Sequence, residues 1–234
     1  MRIITWNCKM KFREDYKKIL PLNPDIVVVP ECENPNKINF GEYTDKLSDS
    51  YWIGKNQSKG LGVFTFNDFK IELYSKYDDQ YKYILPLIIS RKNESYNLIG
   101  CWTQVTDDLV YIGHLQYSLK HYDSFLNNNN VIICGDLNSN QYWEKYGGED
   151  LNHKEVVDNL SKKNIYSSYH HFFNEEQGKE SRPTYFHTHK ENNPFHLDFC
   201  FLSENLIDKL TNVEVGKYED YNEVSDHVPI IVDF

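Results

Sequence analysis

Apolar runs in this 234-residue sequence repeatedly meet a carboxylate, an amide or an imidazole at one end. Ile3-Ile4-Thr5-Trp6 leads to Asn7, and Ile26-Val27-Val28-Val29-Pro30 leads to Glu31. Val131-Ile132-Ile133-Cys134 leads through Gly135 to Asp136 and, past Leu137, to Asn138. Ser225-Asp226-His227 stands just before the last run, Val228–Val232, and Asp198 is embedded in His196-Leu197-Asp198-Phe199-Cys200-Phe201. A carboxylate buried in such a run is costly unless it is paired or bound to a metal. Strand ends on one edge of a sheet converge in space, and ligand clefts form there. So many hard oxygen donors favour Mg²⁺ or Mn²⁺ over zinc.

Many strands are needed to position these groups. Strand patterns are read at Arg2–Trp6, Asp25–Pro30, Gly62–Phe66, Lys70–Tyr74, Ile84–Ser90, Asn97–Thr103, Val131–Cys134, Leu197–Leu202, Val213–Val215 and Val228–Val232. The β-branched run from Ile26 to Val29 predicts a strand buried on both faces. Helices are predicted over Phe12–Leu20, over Tyr111–Leu126 and over His153–Lys163. In the second, Ile112, Leu115, Leu119, Tyr122 and Leu126 share one face, which puts His114 off that face and on the helix surface. Asn127–Asn130, Gly147–Asn152 and Asn174–Pro183 read as polar loops. Strands outnumber helices, and helices fall between groups of strands, so sheets covered by helices in one domain, residues 1–234, are expected.

The totals set limits. A hydrophobic fraction of 40%, with 18 Tyr and 13 Phe, supports a core and argues against disorder. No apolar run reaches the roughly 20 residues that span a bilayer, and Met1–Cys8 lacks a signal-peptide pattern, so a cytoplasmic location without a membrane partner is expected. Cys8, Cys32, Cys101, Cys134 and Cys200 form no CxxC pair and read as small buried hydrophobes. The formal net charge of −10 means that any basic face for a nucleic acid must be local.

Five segments, in order along nearly the whole chain, resemble the endonuclease/exonuclease/phosphatase superfamily. They are Thr5-Trp6-Asn7, Pro24-Asp25-Ile26 running to Glu31, Gly135-Asp136-Leu137-Asn138, His196-Leu197-Asp198-Phe199, and Ser225-Asp226-His227-Val228-Pro229. That superfamily includes exonuclease III-like abasic endonucleases, pancreatic-type deoxyribonucleases, inositol-phosphate phosphatases and sphingomyelinases. The resemblance implies an α/β fold, a four-layer sandwich of two face-to-face mixed sheets flanked by helices. It also implies Mg²⁺- or Mn²⁺-dependent hydrolysis of phosphate esters by in-line attack of water. No Ser or Cys lies in a GxSxG nucleophile context, which agrees with water as the nucleophile.

By the same resemblance, Glu31 is the inner-sphere metal ligand, Asn7 lies beside it, and Asp226 completes that shell or a second one. Asp136 aligns or deprotonates the attacking water, and Asn138 donates to the phosphoryl oxygen. His227 acts on the scissile phosphate as general base or transition-state stabiliser, with Asp198 fixing its tautomer. Many members carry a second histidine at the end of the strand before the helix leading to Gly-Asp-x-Asn. Here Trp102 and Thr103 end that strand, and His114 reads as helical. Arg13 and Lys59 are candidate phosphate contacts, and Glu33 is a candidate auxiliary ligand. The segment Tyr185, Phe186, His187 and His189 could stack on a base or form the rim. The expected partner is a nucleic acid, with a small phosphate ester as the alternative. An inactive binding module on this fold should have lost one of these groups, and all are present.

Overall fold

The computed structural model describes residues 1–105, 111–146 and 152–234. Sheet A comprises β1 (Arg2–Thr5), β2 (Ile26–Cys32), β3 (Leu47–Asn56), β4 (Lys59–Phe66), β13 (Asn212–Val215) and β14 (Ile230–Asp233), in the order β13-β14-β1-β2-β4-β3. Sheet B comprises β5 (Lys70–Leu73), β6 (Ile84–Arg91), β7 (Glu94–Trp102), β8 (Val131–Asp136), β9 (Ile165–Ser167) and β12 (Asp198–Ser203), in the order β5-β6-β7-β8-β12-β9. A two-stranded ribbon, β10 (Tyr185–Phe186) with β11 (Pro194–Phe195), stands apart. Each large sheet is mixed. β1 and β2 are parallel in one, β7 and β8 in the other, and the remaining pairs are antiparallel.

Strand periodicity explains why both faces are apolar. Ile3, Ile26 and Val28 point from sheet A toward Leu85, Leu98, Ile132 and Cys200 of sheet B, forming the central core. Their alternates Ile4, Val27 and Val29 face outward and pack with Phe12, Tyr16 and Ile19. On the far side, Ile99, Ile133 and Phe199 meet α2 (Tyr111–His121), α3 (Asp123–Leu126) and α4 (His153–Ser161) through Leu115, Phe125 and Val156. The result is the expected four layers. All five cysteines are buried and unpaired. Among the described residues, no helix is long and apolar enough to cross a membrane.

Two helix predictions need correction in detail. Phe12–Leu20 forms only one α-turn, α1 (Phe12–Asp15), followed by tighter turns at Tyr16–Lys18 and Leu20–Leu22. Pro21 lies within the last turn, and left-handed Asn23 (φ 53°) ends it. Tyr111–Leu126 breaks at Tyr122 into α2 and α3. The helix predicted over His153–Lys163 forms over His153–Ser161, capped by the Asn152 side chain, which accepts from the Glu155 N–H at 2.7 Å. Of the predicted polar loops, residues 147–151 lie outside the described residues. The strands β3 and β9 were not predicted.

Candidate active site

One rim of the sandwich gathers the ends of β1, β2, β7 and β8, the start of β12 and the residues before β14. The parallel pairs end together, so Asn7 and Glu31 lie at one sheet's edge, and Trp102 and Asp136 at the other's. β12 runs back against β8 in a register that sets Asp198 opposite Asp136. On its other side β8 lies close against β7, and Gly135 permits that approach. Its φ is +144°, and a Cβ there would collide with the Cys101 carbonyl oxygen of β7. At the other sheet the Trp6 indole N–H donates to the His227 carbonyl at 3.0 Å, and the Ser225 hydroxyl donates to the Asn7 carbonyl at 2.7 Å. Chain start and chain end are thereby stitched together.

At the centre is a buried line of three groups. His227 Nδ1 lies 2.8 Å from Asp198 Oδ2, and its Nε2 lies 3.9 Å from Asp136 Oδ2. The Asp136 carboxylate also accepts from Asn7 Nδ2 at 2.9 Å, from the Asn138 backbone N–H at 2.9 Å and from Asn138 Nδ2 at 3.1 Å. Burial, reinforced by the charge of Asp198 and opposed by that of His227, pushes the Asp136 carboxyl up to about 7. Burial alone would lower the His227 imidazole, but the Asp198 and Asp136 carboxylates outweigh it and push the imidazole up to about 9. At neutral pH this line therefore holds an imidazolium between two acids.

Asp136, Asp198 and His227 have ligand atoms within 4.8 Å of one another and could in principle hold a metal. Their chemistry argues otherwise: Asp198 already engages one ring nitrogen, and the other faces Asp136. The hard oxygens of Asn7, Glu31 and Asp226 suit Mg²⁺ or Mn²⁺ better. Both carboxylates already draw a cation. Lys9 Nζ is 3.2 Å from Asp226, and Lys59 Nζ is 3.1 Å from Glu31. Glu31 has φ 57°, and the register with β4 slips between Pro30 and Cys32. This bulge turns Glu31 out of the strand's alternation, a device common beside functional sites. Burial, together with the charges of Asp226, Asp136, Tyr111 and Glu31, pushes the Tyr185 phenol up to about 12. That effect marks how closely the acids from both sheets approach.

The other candidates divide. The Tyr185 ring packs 4.7 Å from the His227 ring, and His189 Nε2 lies 2.7 Å from Lys9 Nζ, so the 185–189 segment forms the rim. Arg13 and Glu33 face one another at 3.6 Å, and Glu33 also accepts from the Phe12 N–H at 3.1 Å, so this pair secures α1. Thr103 supports the acid strand: its N–H donates to the Asp136 carbonyl, and its own carbonyl accepts from Asn138 Nδ2 at 3.3 Å. His114 is helical as read, but it is not on the surface. It is 4% exposed, because the ring of Tyr81 covers it. Sequence reasoning missed Lys9, whose only signal is a basic residue two positions after Asn7. It also missed a buried group behind β12, where the His170 ring bonds Glu180 at 3.0 Å near His153 and His196.

No family model matches the chain, and no curated protein matches it in sequence. Solved structures do match over its full length. The endonuclease domain of TRAS1, a telomere-specific non-LTR retrotransposon, superposes with TM-score 0.69 at 14% identity, covering 100% of this chain and 97% of that one. The 3′ phosphatase NExo from Neisseria, bound to a product DNA hairpin, gives TM-score 0.71 at 17% identity, with 100% and 99% covered. An AP endonuclease from Archaeoglobus fulgidus gives TM-score 0.69 at 13% identity, with 100% and 99% covered. With two mixed six-stranded sheets, flanking helices and these end-to-end matches, the chain has the endonuclease/exonuclease/phosphatase fold.

Proposed function

We propose that this chain, as one catalytic domain, is a divalent-metal-dependent phosphoric ester hydrolase that cleaves a nucleic acid by in-line attack of water on phosphorus. The observation that carries the reading is the buried line Asp198–His227–Asp136, set at the rim that also carries Asn7, Glu31 and Asp226. Proteins of the same fold named as endonucleases and as a DNA-bound 3′ phosphatase give it precedent.

Asn7, Glu31 and Asp226 are the groups that would hold Mg²⁺ or Mn²⁺, which when bound supplies Lewis-acid polarisation of a phosphoryl oxygen. Asp136, poised near 7, takes the proton of the attacking water. Three donated hydrogen bonds from Asn7 and Asn138 keep its carboxylate aimed. His227 enters as an imidazolium, so it donates to the phosphoryl oxygens as charge grows there, and of its two inferred roles transition-state stabiliser is favoured over base. Asp198 orients that ring and balances its charge.

A small phosphate ester is the second reading, favoured by the net charge of −10, which repels a long polyanion. The test is hydrolysis by the purified protein of plasmid, single-stranded DNA, abasic duplex, RNA, bis-p-nitrophenyl phosphate and p-nitrophenyl phosphate, each with Mg²⁺, Mn²⁺ or EDTA. Metal-dependent cleavage of a nucleic acid supports the first reading. Turnover of the small esters alone supports the second, and silence on every substrate would overturn both.

A further inference from the structure

Beside the rim lies a cavity of about 570 Å³, bounded by the β3–β4 hairpin, the turn Asp79–Tyr81 and the end of β7. Among the described residues that line it, Lys55, Lys59 and Lys82 face one carboxylate, Asp79, and Lys59 also reaches Glu31 at the rim. That is a local excess of positive charge in a chain whose formal net charge is −10. Asp79 neutralises little, since its side chain is 73% exposed and 3.7 Å from Lys82. Lys55 makes no ion pair among the described residues. Lys59 joins the cavity to the rim: its ammonium touches Glu31 and lies 5.0 Å from the centre of the Trp102 ring. Trp102 and Tyr83 pack at 4.8 Å, and Tyr83 is held at φ 70°, a strained value for an aromatic residue.

His114 also lines this cavity, with its Nδ1 buried and unpartnered. Burial lowers its pKa, and the contact with the Gln80 backbone opposes that shift. A cluster of cations around an unpartnered ring nitrogen suits a phosphate attached to a group that carries hydroxyl or N–H donors.

We propose that the cavity lined by Lys55, Lys59, Lys82 and His114 holds a second, non-scissile phosphate of the substrate with its attached nucleoside, so that the enzyme acts on a polynucleotide strand. This rests on the hydrolase reading above and decides between its two substrate classes. The scissile ester sits at Asp136 and His227, and the neighbouring nucleotide is gripped past Lys59. A mononucleotide or simple diester cannot use this grip.

The test compares the wild type with Lys55→Ala, Lys82→Ala and the double variant in Mn²⁺. The substrates are a single-stranded oligonucleotide of about ten nucleotides and bis-p-nitrophenyl phosphate. For the oligonucleotide, KM should rise about tenfold in the double variant with kcat nearly unchanged. The slope of log KM against log salt concentration should fall by up to about 0.7 in the double variant, the contribution of one phosphate contact. Turnover of the small diester should be unaffected, which also shows that the variants are folded. Wild-type KM and salt slope in the variants, or equal losses on both substrates, would overturn the cavity assignment and leave the hydrolase reading intact. A wild type that cleaves the small diester but no oligonucleotide would overturn the polynucleotide class itself.

Discussion

Replacing Asp198 by Asn keeps the shape of the buried line and removes one charge. At an effective dielectric near 20, unit charges at the 2.8 Å separation of Asp198 and His227 attract by about 6 kcal/mol. That corresponds to a change in the proton affinity of His227 on the order of 10⁴-fold. Burial already disfavours the imidazolium, and Asp136 stands farther away at 3.9 Å. The His227 ring of Asp198→Asn should therefore be neutral at neutral pH, whereas the wild-type ring, pushed up to about 9, stays protonated there. Ring ¹H–¹⁵N spectra recorded against pH in EDTA read this directly. Turnover in Mn²⁺ should fall by about 10²- to 10⁴-fold, the scale of a lost or misoriented acid–base group. A variant ring still protonated well above neutrality, or turnover within a few-fold of wild type, would refute the coupling of these residues.

Glu31→Ala should raise the Mn²⁺ concentration for half-maximal activity by at least about tenfold, since even indirect partners of a metal carry that much. Excess Mn²⁺ should restore part of the rate, and no recovery at any concentration would remove Glu31 from the metal set. Gly135→Ala must place a methyl group against the Cys101 carbonyl at φ +144°, so urea denaturation should show a loss of more than about 4 kcal/mol or no folded protein. Wild-type stability would mean that β7 and β8 are not so close. Glu180 is raised by burial but lowered more by the His170 ring and the Gly178 N–H, which hold it at about 2. Its folded-state value is depressed, so its stabilisation is present above about pH 4.5 and is lost as pH falls toward about 2. Urea midpoints of Glu180→Gln should thus lie below wild type at about pH 7 and approach it at about pH 2.5, and a gap independent of pH would contradict the assignment.

Strands buried on both faces were the most legible part of the sequence. Ile26–Val29 could be little else, and its alternation between the central and outer cores explains the unbroken apolar run. The edge strand β3 was not legible. Leu47–Gly54 are all half-buried on a strand that pairs with β4 alone, so Ser48, Asp49 and Ser50 show no alternation. The Asn7, Glu31, Asp136 and Asp226-His227 positions stood out because polar groups bordered apolar runs. Lys9 did not, because it reaches Asp226 through tertiary folding, and Lys59, read as a phosphate contact, meets Glu31 by the same route. His114 shows the limit of helical periodicity. It lies off the face marked by Ile112, Leu115 and Leu119, yet the turn carrying Tyr81 covers that side as well. Burial on a second side of a helix is set by a distant segment and leaves no trace in local spacing.

The most direct test of the central claim is cleavage of an end-labelled oligonucleotide by the wild type and by His227→Ala, each with Mn²⁺ or with EDTA. The account predicts cleavage by the wild type in Mn²⁺, none in EDTA, and a loss of roughly 10²-fold or more in the variant with its metal requirement unchanged. Cleavage that survives EDTA, or a variant as fast as the wild type, would contradict it.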